Sequence, residues 1–148
     1  AGTVMIDYAH TPDAYENVLS TIQGLSSENN IFTLFGCGGN RDHSKRAIMA
    51  SIAEKFSDHV FVTSDNPRNE NLDDIIAQIC KGFTKTDYTI INNRVNAIKK
   101  AMHRMDENSI LLVLGKGHDD YEEINGQKHP HSDSKTISEF GNASSDSE

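Results

Sequence analysis

Ile110-Leu111-Leu112-Val113-Leu114-Gly115-Lys116-Gly117-His118-Asp119-Asp120 runs straight from an unbroken apolar stretch into a glycine-rich polar turn. A strand wetted on one face alternates apolar and polar residues. A continuous apolar run instead suits a strand covered on both faces, at the centre of a parallel sheet. Working outward, the same pairing of apolar run and polar turn recurs. Thr3 to Tyr8, Ile31 to Phe35, His59 to Thr63 and Tyr88 to Ile91 all read as strands.

Helical patterns fill the gaps. Thr11 caps a helix with Pro12 at its first position, Asp13 in its first turn and a stripe of Ala14, Val18, Ile22 and Leu25. A loop is expected over 36–46, then a helix striped by Ile48, Ile52 and Phe56. Leu72, Ile75, Ile76, Ile79 and Phe83 mark the next helix, and Val95, Ile98 and Met102 the one after. Asn125-Gly126, within 121–130, is a hairpin turn signal, and Ser132 can cap a last short helix with Ile137 and Phe140. Strand-helix alternation predicts an α/β fold: a doubly wound, Rossmann-like, mainly parallel sheet with helices on both faces and a C-terminal hairpin. The acidic stretch 141–148 is expected to be a disordered tail.

The chain has 148 residues, enough for one domain with its own core. A net charge of −8 and the lack of a basic cluster exclude nucleic acid or an anionic membrane as the main partner. No apolar run is long enough to span a bilayer. Two cysteines, Cys37 and Cys80, fit a reducing, cytoplasmic setting. The abrupt opening on a strand leads us to expect a piece of a longer protein, and Ala1-Gly2-Thr3 gives no expectation of a signal peptide.

In a sheet of this kind, ligands bind beyond the carboxyl ends of the strands, where each of five polar segments lies, Asn92-Asn93-Arg94 after the fourth strand included. Asp65-Asn66-Pro67-Arg68 sets an acid, an amide and a guanidinium around a proline turn, with Asn66 expected to be extended before Pro67. Arg suits a carboxylate and Asp an ammonium, so the tetrad fits the zwitterionic end of an amino acid. A plain turn explains it equally well.

Gly36 to Asn40 can cradle an anion or merely turn the chain. It matches neither a P-loop nor a dinucleotide fingerprint, because Arg41 stands where the third glycine belongs. Arg41 is either a second anion clamp or a surface partner of Asp42. Lys116 is placed to meet a phosphate, and His118 to be a base, a donor or a surface residue. A metal on His118, Asp119 and Asp120 is disfavoured for want of further ligands. Asp7, ending a strand just before His10 and Thr11, suits ribose hydroxyls or local capping. Cys37 lacks a nearby base, and no nucleophilic triad is legible.

In this order the loops resemble the C-terminal domain of the Mur ligases. The matching residues are Asp7-Tyr8-Ala9-His10-Thr11-Pro12-Asp13-Ala14, Phe35-Gly36-Cys37-Gly38-Gly39-Asn40-Arg41-Asp42, Asp65-Asn66-Pro67-Arg68 and Gly115-Lys116-Gly117-His118. The likeness runs from about Val4 to Phe140, so the domain is expected over 1–140. Within the family it is similar to the members that add meso-diaminopimelate to UDP-N-acetylmuramoyl-L-alanyl-D-glutamate in peptidoglycan synthesis. The tetrad is their mark.

This resemblance implies an ATP-dependent amide ligase working through an acyl phosphate. It implies that ATP and Mg2+ are held mainly by a central domain, and the UDP-sugar by an N-terminal one, neither of them in this chain. The fragment alone would then be inactive and need no cofactor. It carries over Arg41, Asp65, Asn66, Arg68, Gly115 and Asp119 as diaminopimelate contacts, and Asp7 and His10 as nucleotide contacts. Asp119 stands where the family usually has Glu, one methylene longer, and Asp120 is its substitute if the shorter acid falls short. Competing readings are a lysine-adding or folylpolyglutamate-type ligase domain, and a non-catalytic Rossmann-like binding module. Arg68 opposes the lysine version, since lysine lacks the distal carboxylate that a guanidinium would meet.

Overall fold

A computed structural model describes residues 2–26 and 28–146, with the backbone alone at 142–146. Five strands form one parallel sheet: β1 (Thr3–Asp7), β2 (Asn30–Phe35), β3 (His59–Val62), β4 (Tyr88–Ile90) and β5 (Ser109–Leu114). The order is β1-β5-β2-β3-β4, with β5 inside the sheet as its apolar run predicts. A separate antiparallel hairpin joins β6 (Tyr121–Ile124) to β7 (Gln127–Pro130). Its turn takes φ 52° at Asn125 and 77° at Gly126, the left-handed pair that a two-residue hairpin needs.

Successive strand residues face opposite sides and sort the core in two. Ile110, Leu112 and Leu114 join Ile31, Phe35, Val60 and Val62 under α1 (Pro12–Leu25), α2 (Ser44–Phe56) and α3 (Leu72–Cys80). Leu111 and Val113 join Phe32, Leu34 and Phe61 under α4 (Arg94–Arg104), with Ile137 of α5 (Asp133–Asp146) at the margin. Each fully buried side chain of this kind contributes roughly 1.5–3 kcal/mol.

Thr11 caps α1, its side chain accepting from Ala14 N–H at 3.2 Å, with Pro12 at the helix start. The stripe differs from expectation. Tyr15 and Leu19 are the buried residues, Ala14, Val18 and Ile22 flank them, and Leu25, the last residue of the helix, is 80% exposed. In α2 the helix starts at Ser44, inside the expected loop, because Asp42 Oδ1 accepts from both Ser44 N–H (3.0 Å) and Ser44 Oγ (2.7 Å). Its inward face is Arg46, Met49, Ala50 and Ala53, while Ile48 points outward. Phe83 packs on the core from beyond the end of α3, stacked on Tyr88. Helix α5 continues to Asp146, past Gly141 where a tail was expected, since glycine weakens a helix by only about 1 kcal/mol. The last two tail residues lie outside the described residues. Among the described residues, no helix is long and apolar enough to cross a membrane.

Candidate functional site

The segments after β1, β2, β3 and β5 enclose a cleft of about 320 Å³ at the carboxyl end of the sheet. It is lined by Arg41, Asp65, Asn66, Arg68, Gly115, Asp119 and His10. Asp7 is the one expected contact outside the lining. Its Oδ1 accepts from Ala9 N–H at 2.8 Å, which is the local capping alternative. His10 Nδ1 pairs with Tyr8 O at 2.9 Å, which leaves Nε2 to the cleft.

Both arginines flank Gly38. A Cβ there would stand 2.8 Å from Arg68 Nη1 and 3.5 Å from Arg41 Cγ. Arg41 is exposed, and its Nη1 donates to Asn40 O at 3.2 Å, so its charge is not spent on Asp42. Arg68 is half-buried. Its Nη1 donates to Gly39 O at 2.9 Å, and its Nε lies 3.5 Å from Glu123 Oε1, leaving Nη2 without a partner among these contacts.

Asn66 is not extended as expected. It takes φ 44° and Arg68 takes φ 53°. Three bonds outweigh the steric preference of a residue before proline. Asn66 Oδ1 accepts from Lys116 Nζ at 2.8 Å and Glu123 N–H at 2.9 Å, and its carbonyl accepts from Gly39 N–H at 2.9 Å. Lys116 is likewise not free for a phosphate. Fully buried, it donates to Tyr121 O at 2.9 Å and sits 3.4 Å from Asp65 Oδ1, so its ammonium holds the tetrad in place. Gly115 takes φ 112°, and a Cβ there would meet Asp65 Oδ2 at 2.5 Å, so only glycine leaves that carboxylate oxygen open.

Asp119 lines the cleft close enough to Tyr8 that its charge raises the phenol above its ordinary range. Asp120 and His118 are exposed, away from the lining. Burial pushes the Cys37 thiol up to about 12, which rules it out as a neutral-pH nucleophile. Among the described residues, no three His, Cys, Asp or Glu side chains are grouped to hold a metal ion.

Two buried arginines brace this rim: Arg46, which the sequence reading missed, also lines the cleft, whereas Arg94, from a polar segment expected on the rim, stands outside the lining. Arg94 is buried and donates to Asp133 through Nε (2.9 Å) and Nη2 (2.8 Å), to Ser64 O at 3.0 Å and to Leu114 O at 3.1 Å. One guanidinium thereby ties the ends of β3 and β5 to the start of α5. Arg46 is also buried and donates to Gly38 O at 2.8 Å, to Gln78 Oε1 at 2.9 Å and to Glu70. A signal was available for both, since each arginine precedes apolar residues at helical spacing: Met49, Ala50, Ala53 and Ala97, Ile98, Ala101.

The family model described as Mur ligase, glutamate ligase domain, matches residues 1–117. The chain belongs to the Mur ligases. Among its Mur ligase relatives, a UDP-N-acetylmuramoyl-L-alanyl-D-glutamate--2,6-diaminopimelate ligase of Aquifex aeolicus is 50% identical over 93% of this chain and 29% of its own length. The ligase of the same name from Cytophaga hutchinsonii is also 50% identical, over 93% of this chain and 29% of its own. A solved structure with that enzyme name superposes with a TM-score of 0.90 at 36% identity, covering 96% of this chain and 29% of the other. The chain thus spans under a third of the length of these relatives.

Proposed function

We propose that this chain is the amino-acid-binding domain of an ATP-dependent ligase that adds meso-diaminopimelate to UDP-N-acetylmuramoyl-L-alanyl-D-glutamate. The observation that carries the reading is the placing of two arginines beside one glycine, Arg68 through its guanidinium and Arg41 through the stem of its side chain, in a cleft also lined by Asp65 and Asp119. Diaminopimelate has two carboxylates and two ammonium groups. The arginines seat its distal carboxylate, and Asp119 its distal ammonium. Asn66 and Asp65, locked by Lys116, present fixed polar groups at the floor. The cleft lies at the lower end of the range for small-molecule sites.

ATP and Mg2+ belong to the rest of the enzyme. His10 Nε2 and the second oxygen of Asp7 are groups of this chain that can meet a nucleotide, and among the described residues no three His, Cys, Asp or Glu side chains are grouped for a metal. The role of these residues is to bind and orient the incoming amine. The full-length relatives' names support this choice over the lysine-adding and folylpolyglutamate readings.

The test uses the whole enzyme, with phosphate release from ATP followed for diaminopimelate and for lysine. Diaminopimelate is expected to win by orders of magnitude, since a site built for a polar group rejects an analogue that lacks it. Equal specificity constants would overturn the reading.

A further inference from the structure

The glycine loop and the tetrad loop hold each other through one backbone and one side-chain bond. Gly39 N–H donates to Asn66 O, and Arg68 donates back to Gly39 O, each at 2.9 Å. The next residue, Asn40, takes φ 55° and donates its N–H to Glu70 Oε2 at 3.1 Å. That same oxygen receives Arg46 Nη2, and His43 Nε2 pairs with Glu70 Oε1. Glu70 does not line the cleft. Arg46 is already short of one partner, its Nε being buried without any, so Glu70 is its counter-charge. The segment that gives rise to Arg41 is therefore held from the tetrad side at Gly39 by Asn66 and Arg68 and, at the residue next to Arg41, by the Glu70 carboxylate.

We infer that Glu70 is a positioning residue for the amino-acid site: by collecting Asn40 N–H, Arg46 and His43, it fixes the backbone from which Arg41 projects and so sets how that guanidinium meets the ligand's distal carboxylate. The inference rests on the diaminopimelate reading above. Asparagine tolerates the left-handed conformation, so Asn40 needs a bond to hold it there more than it needs relief from strain. With Glu70 neutral, the loop keeps its fold but loses its charge-assisted anchor.

The experiment is Glu70→Gln in the whole enzyme, with kcat and KM measured for diaminopimelate and for ATP, alongside the thermal midpoint. Gln keeps the size and one acceptor oxygen. KM for diaminopimelate should rise on the order of tenfold, with kcat and the KM for ATP within about twofold. In an Arg41→Lys background the same change should add less than about threefold, because there is no longer a fork to place. An unchanged diaminopimelate KM overturns the inference, as does a full-sized Glu70 effect on the Arg41→Lys background. A fall in all kinetic constants that tracks a lower thermal midpoint also overturns it, by showing a merely structural role. A wild-type enzyme without diaminopimelate-dependent turnover takes down the substrate reading and the inference together. An active wild type with an indifferent Glu70→Gln takes down the inference alone.

Discussion

Arg94 and Arg46 are the residues that make this rim rigid, and neither touches solvent freely. Arg94→Met leaves Asp133 buried with only His131 beside it, at 2.6 Å, and should cost about 3–5 kcal/mol in urea unfolding. Burial alone would raise the Asp133 carboxyl, but hydrogen bonds from Arg94 and His131 pull it well below the usual carboxylate range. Below about pH 4 the unfolded chain takes up a proton that the folded one refuses, so this contribution is whole above that point and lost as pH falls through the depressed value. The slope for the one group approaches about 1.4 kcal/mol per pH unit. Asp133→Asn should flatten the acid limb, as read from urea curves at about pH 6 and about pH 3. In the cleft, Asp119→Asn should lower diaminopimelate specificity by about one to two decades, the worth of a charge-assisted hydrogen bond. Asp120→Asn, exposed and off the lining, should change it little. Reversed results would move the ammonium contact to Asp120.

At the level of elements, the strands were legible because burial on both faces leaves an unbroken apolar run, and the hairpin because Asn125-Gly126 supplies its two left-handed residues. Helix faces were less legible. Ile48 and Leu25 are as apolar as their buried neighbours, and only packing decides which face turns in. The bend at Asn66 was hidden for a different reason. It is enforced by Lys116 and Glu123, distant in sequence, against a local preference that favoured extension. The glycine loop gives the sharpest element-level test. Gly39 is buried, and a Cβ on it would collide with the Pro67 carbonyl, so Gly39→Ala must part the two loops. We expect a loss of roughly 1–3 kcal/mol in stability, the usual cost of overpacking, together with weaker amino-acid binding. Unfolding curves and diaminopimelate KM in the whole enzyme would show both. Wild-type values would mean that the loops do not depend on this contact.

For the molecule as a whole, the two-sided core gives the chain what it needs to fold alone, while on the proposed reading the groups that act on ATP phosphates belong to the rest of the enzyme. The chain produced by itself should therefore unfold in one cooperative step and release no phosphate from ATP with magnesium above a matched blank. Steady hydrolysis would refute this division of labour. The rim's residues could be found in the sequence because they stand in loops, each after its own strand. The helical spacing marks Arg94 and Arg46 as inward-facing, but their partners stayed hidden, because Arg94 with Asp133 and Arg46 with Glu70 pair across 39 and 24 positions. The bond from Arg68 to Gly39 O also bears on how such a domain changes its taste over generations. On the proposed function, replacing Arg68 removes a ligand contact and a strut in the same stroke. A lineage drifting towards an amino acid without the distal carboxylate meets a valley at its first step, with the old substrate lost and the cleft slack before the new one fits. The passable route begins elsewhere, with a change near Gly39 or Glu123 that is silent for the present substrate and makes the arginine dispensable.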